Sequence, residues 1–186
     1  MEFQWCQQAV TPLTAFLEKV TWQAPIGDVV KINFDGSFRS SSLSGSFGAV
    51  ARDCEGQVLG AMAGPLFMVC DSFAAEALAA LKAMVWARDM RFIDIILEGD
   101  ALSIIWKVNS PTHDLSPIGP YIEELKLYCS FFHSCKFSHI KRDGNAVGNS
   151  LAKYGSSLPA NVFWMEEVPS LAMDALLNDC NACHME

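Results

Sequence analysis

The sequence predicts an α/β fold in which a mixed sheet of five strands is flanked by helices. Three observations carry that prediction. Hydrophobic residues make up 51% of the 186 residues and charged ones 18%, which is enough apolar surface to build a core. Residues 29–63 alternate with period two in three short runs joined by turn-forming residues, the pattern of an antiparallel meander. Beyond residue 71 the apolar spacing switches between helical and strand periods, and β-α-β connections of that kind set parallel strands beside the meander.

In the first run Val30, Ile32 and Phe34 point one way while Lys31, Asn33 and Asp35 point the other. Gly36-Ser37 closes it, and the serine-rich stretch 40–46 reads as a loop. Phe47 to Arg52 is the second strand, Asp53-Cys54-Glu55-Gly56 a hairpin turn, and Gln57 to Ala63 the third strand. Asp71 or Ser72 is placed to cap a helix from Phe73 to Arg88, rich in Ala, Leu and Met. Phe92 to Glu98 is the fourth strand. Asp100 is well placed to cap a helix reaching about Val108. Asn109 to Pro117, with two prolines, is a loop. Tyr121 to Phe132 is a helix, Lys136 to Ile140 the fifth strand and Val147 to Ser156 a final helix. Phe47, Phe67, Phe73 and Phe92 read as core. The domain is thus 29–158, between a lead-in of 1–28 and an acidic tail of 159–186. In the tail Phe163, Trp164, Met165 and Val168 form an apolar patch suited to packing back.

Charge narrows the function. The formal charge of −8 is concentrated at the ends, since 159–186 holds five acids and no Lys or Arg. A near-neutral core lacks the broad positive field of a tight, non-specific phosphate binder, so any contact with nucleic acid must be local or metal-assisted. No apolar run reaches the ~18 residues of a membrane span. The N-terminus has no basic region or cleavage site of a secretory leader. Seven scattered cysteines fit reduced thiols, so an intracellular monomer without a membrane role is expected. Cys180-Asn-Ala-Cys183-His184 has the spacing of a haem attachment site, and Cys129, His133 and Cys135 cluster near a helix end. Neither brings a full set of ligands, and both are set aside.

Three carboxylates sit where a purely structural sequence rarely puts them. Asp35 ends the first strand, Glu76 heads a row of alanines on the first helix, and Asp100 follows the fourth strand. The element order predicts that the ends of those strands and the start of that helix converge on one edge of the sheet. Converging carboxylates without His or Cys suit hard divalent cations, Mg²⁺ or Mn²⁺. Two such ions support in-line attack of water on a phosphodiester.

The segments Lys31-Ile-Asn-Phe-Asp35-Gly-Ser37, Ala75-Glu76-Ala-Leu and Leu97-Glu-Gly-Asp100-Ala101 resemble, in order and spacing, the type 1 ribonuclease H fold, and most of all its plant retrotransposon-related branch. The likeness extends to Trp22-Gln-Ala-Pro25, to the hairpin at 48–56 and to Arg142-Asp-Gly-Asn145-Ala-Val-Gly-Asn149-Ser-Leu-Ala-Lys153. It implies cleavage of the RNA strand of an RNA–DNA hybrid, with two Mg²⁺ (Mn²⁺ as substitute) at Asp35, Glu76 and Asp100. The family's fourth carboxylate falls on Asn149, whose amide oxygen ligates a metal without bringing charge. The basic handle some members use is absent, since 109–118 has no Lys or Arg. Asn33 and Asn145 are the expected contacts to sugars, and Ser37 a further contact to the nucleic acid. Arg39, Lys141, Arg142 and Lys153 are those to phosphates.

Overall fold

The protein is described here by a computed structural model covering residues 20–183. The meander is strand β1 (Val30–Arg39), β2 (Ser44–Arg52) and β3 (Val58–Leu66). Helix α1 (Ser72–Asp89) leads to β4 (Asp94–Gly99), α2 (Leu102–Asn109), α3 (Gly119–Tyr128), β5 (Ser134–His139) and α4 (Ala146–Gly155). The sheet order is β5-β4-β1-β2-β3-β6, with β4 parallel to both β1 and β5. The mixed α/β class is as the sequence predicts.

The strand count differs. A sixth strand, β6 (Val162–Met165), pairs antiparallel with β3, and a further helix, α5 (Ser170–Cys183), follows it. Four residues are too few to display a period, which is why this strand reads only as an apolar patch in the sequence. Val168 and Ala172 are buried against Val147 and Leu151 of α4 and Val50 of the sheet, while Phe163 and Met165 stay exposed. The hairpin β1–β2 is also longer than expected. Arg39 pairs with Ser44, leaving only 40–43 as the connection. His184 lies outside the described residues.

Both sheet faces are covered. On one, Ile32, Phe34, Phe47 and Met62 pack against the alanine face of α1 and against Ile104 and Ile122 of α2 and α3. The alanines let α1 approach closely, and at its start the fit is tight. A Cβ on Gly36 would lie 2.5 Å from the Ala75 carbonyl oxygen, so glycine is what allows β1 and α1 to touch there. Asp71 caps the helix, its Oδ1 accepting from the Ala74 N–H at 2.8 Å. Phe67 and Phe73, expected in the core, are 75% and 54% exposed. They flank the β3–α1 connection rather than the apolar face of either element.

On the other face lies a buried polar chain. Arg52, 1% exposed, donates from Nη1 to Asp179 Oδ2 at 2.8 Å and from Nη2 to Asn33 Oδ1 at 2.9 Å. Its guanidinium stacks 3.6 Å from the Trp22 ring centre. Asn33 Nδ2 donates to Glu98 Oε2 at 2.9 Å, and Glu98 pairs with Lys31 at 3.3 Å. This chain of contacts joins the lead-in, three strands and α5. Among the described residues no helix is long and apolar enough to cross a membrane.

Candidate metal centre

Asp35 lies midway along β1, Glu76 near the start of α1, and Asp100 one residue past β4. Parallel pairing of β1 and β4 brings the first and last together, and the approach allowed by Gly36 brings α1 over them. One ligand oxygen from each of the three lies within 4.8 Å of the others. The Gly36 N–H donates to Glu76 Oε2 at 3.1 Å and fixes that side chain. Asp100 does not cap α2. The N-cap is Ala101, with no side-chain capping bond, so the Asp100 carboxylate is left for the cluster.

Three carboxylates this close repel one another. Burial, then the charge of Asp100 and a hydrogen bond with it, push the Asp35 pKa up to about 7; Arg142 and Lys153 oppose the rise. Burial, then the charges of Asp35 and Asp100, push Glu76 up to about 8, against the Gly36 N–H and Arg142. Arg142 Nη1 stands 3.7 Å from Asp100 Oδ2. One exposed guanidinium does not neutralise the site, and a divalent cation among the carboxylates would.

The donor set fits such a cation. Every group is a hard oxygen, and Asp35 Oδ1 is buried with no hydrogen-bond donor. Asn145 Oδ1 and Asn149 Oδ1 are likewise buried acceptors without donors. Their amide nitrogens are committed: Asn145 Nδ2 donates to the Phe34 carbonyl at 2.8 Å, and Asn149 Nδ2 to the Asn145 carbonyl at 2.8 Å. Asn149 lines a cleft of about 440 Å³ with Arg142 and Lys153, the two cations whose fields reach Asp35.

The other expected positions divide. Asn33 is fully buried and both ends of its amide are held within the protein, so it offers no surface to a sugar. Asn145 neither faces solvent nor caps α4 with its side chain. It ties that helix to the strand residue beside Asp35. Ser37 is half-buried beyond Asp35 on β1, and Arg142 stands exposed beside Asp100. What the sequence did not indicate is Gly36, which supplies both the close approach and the N–H that holds Glu76.

A mixed sheet with one carboxylate in the middle of its first strand, one just past its fourth and one on the helix between defines a ribonuclease H-like domain. A family model described as reverse transcriptase-like matches residues 33–155, more than half of the chain, and the chain belongs to that family. An Arabidopsis thaliana protein named for ribonuclease H is 25% identical over 160 residues, which are 86% of this chain and 26% of that protein. The chain therefore spans about a quarter of that relative's length. The RNase H1 of the halophilic archaeon Halobacterium salinarum superposes with a TM-score of 0.64 at 21% identity, covering 69% of this chain and 98% of that one. LC11-RNase H1, solved in complex with an RNA/DNA hybrid, gives 0.61 at 18%, covering 67% and 94%. Strand β6 and helix α5 lie beyond the residues matched by the family model.

Proposed function

We propose that this protein hydrolyses the RNA strand of RNA–DNA hybrids at the Asp35–Glu76–Asp100 centre, using two divalent cations. The observation that carries the reading is the convergence of three carboxylates, from separate elements, to within 4.8 Å. Kinship to ribonuclease H proteins, one of them solved with a hybrid, supports the choice of substrate. Mg²⁺, with Mn²⁺ as a substitute, would be held by Asp35, Glu76 and Asp100, with the Asn149 amide oxygen on the α4 side. When bound, the cations supply Lewis-acid polarisation of the phosphoryl oxygens and lower the pKa of the attacking water. The protein's own groups orient the reactants. The Gly36 N–H fixes Glu76, Asn145 ties α4 to β1 beside Asp35, and Arg142, exposed beside Asp100, is free to turn onto a phosphate.

A second reading rests on Asn149. A neutral amide where a fourth carboxylate belongs weakens cation binding on that side, and a chain so changed serves as a nucleic-acid-binding or protein-interaction module. Incubation of a hybrid labelled on its RNA strand, with Mg²⁺, separates the two. Cleavage is expected, and Glu76→Gln should abolish it. Asn149→Asp restores a charge and should lower the Mg²⁺ concentration needed for half-maximal rate by about tenfold. Cleavage unaltered by Glu76→Gln removes the assignment of the site. No cleavage by either the natural chain or Asn149→Asp favours the module.

A further inference from the structure

On the reading that the carboxylate centre acts on nucleic acid, we infer that a groove beside it receives the sugar–phosphate backbone of the bound duplex. In this groove Arg39 meets a phosphate and Phe67 an adjoining sugar or base. The groove, about 270 Å³, lies between the β1–β2 hairpin and the C-terminal end of α4. Ser37, Arg39, Ser44, Phe67 and Ser156 are among the residues that line it.

Asp35, Ser37 and Arg39 alternate along β1 and so share one face of the sheet. Four residues of strand place Arg39 ~13 Å from Asp35, so the groove continues outward from the centre. Cross-strand pairing sets Ser37 opposite Ser46 and Arg39 opposite Ser44; the Ser46 hydroxyl is buried on the Ala152 carbonyl, so Ser37 and Ser44 are the hydroxyls these pairs leave toward the groove.

Two groups there have nothing to hold. Among the described residues the Ser37 hydroxyl and the Arg39 guanidinium make no hydrogen bond or ion pair. Arg52, Arg88 and Arg142 each face a carboxylate, whereas Arg39 and Arg91 do not, and of these two only Arg39 lines the groove. A planar donor fork without an anion, beside a free hydroxyl, matches the oxygens of a phosphodiester. Phe67 is 75% exposed at the same groove, in a position to lie against a sugar or a base. Segment 109–118 carries Asp114 and offers no Lys or Arg to grip a strand, so the charge for that task has to come from elsewhere on the surface. Arg39 provides it on the hairpin side of the carboxylates.

The test is the salt dependence of binding. An Asp35→Asn chain, which binds without cutting, is titrated into a fluorescently labelled RNA–DNA hybrid by anisotropy between about 50 and 200 mM salt. Adding Arg39→Ala should weaken binding about threefold to tenfold at the low-salt end and reduce the slope of log affinity against log salt by about one. Adding Phe67→Ala should weaken binding with the slope unchanged. Arg39→Ala binding with the parent's affinity and slope overturns the groove while leaving the proposed activity intact, provided the unmutated chain cleaves. Failure of the Asp35→Asn parent to bind the hybrid at all overturns both.

Discussion

Replacing Asp35 with Asn should raise the melting temperature of the metal-free protein near pH 8 while abolishing cleavage. The folded protein holds Asp35 at a pKa of about 7 and Glu76 at about 8, both far above the ordinary carboxylate values. A group whose pKa is raised by folding favours the folded state while it stays protonated. The stability it lends is complete below the unfolded value near 4, and it is lost as pH rises through the folded one. The metal-free protein is therefore expected to lose a few kcal/mol, or about 5–10 °C in melting temperature, between about pH 4 and pH 8. Mg²⁺ should restore most of that loss, because it binds the ionised carboxylates of the folded chain. Asp35→Asn removes one charge from the cluster and relieves Glu76 of its neighbour, so its melting temperature should fall much less over the same range. Thermal melts in chelator at both ends of that range, repeated with Mg²⁺, check the result. An Asp35→Asn chain less stable than the natural one near pH 8 without metal would show that repulsion does not govern the cluster.

The second large effect is on stability alone. Asp179→Ala leaves Arg52 buried without its carboxylate, and it should cost ~3–5 kcal/mol in urea unfolding. The hydrogen bond to Asn33 and the stacking on Trp22 remain, but neither supplies a counter-charge. Replacing both partners by apolar residues, Arg52→Met with Asp179→Leu, should recover most of the loss, because the cost comes from the stranded charge rather than from the missing bond. If Asp179→Ala unfolds within ~0.5 kcal/mol of the natural chain, α5 is an appendage rather than part of the folded unit.

That pair also marks how far the sequence could be read. Asp35, Glu76 and Asp100 are legible because acidic side chains in or beside apolar strands and on an alanine-rich helix are costly unless something gathers them, although Asp35 lies midway along β1 rather than at its end. Asn33 has the same parity on β1 as Asp35, yet Arg52 and Glu98 claim it. Sequence alone does not show which member of an alternating set is held by side chains on the neighbouring strands. Asp179 looked like one more charge in an acidic tail. Only the folding of α5 onto the sheet turns it into the counter-ion of a buried arginine. Phe67 looked like core because its neighbours on β3 are apolar, and the chain leaves the sheet before it can be covered. The capping residue of α2 was misplaced by one position, and that position is the difference between a helix cap and a member of the centre.

The central claim is that Asp35, Glu76 and Asp100 form one cation site. Anomalous scattering from crystals soaked in Mn²⁺ tests it most directly. A peak bridged by oxygens of all three carboxylates is the expected result. Crystals that show Mn²⁺ only at other positions, with these side chains unliganded, would contradict it.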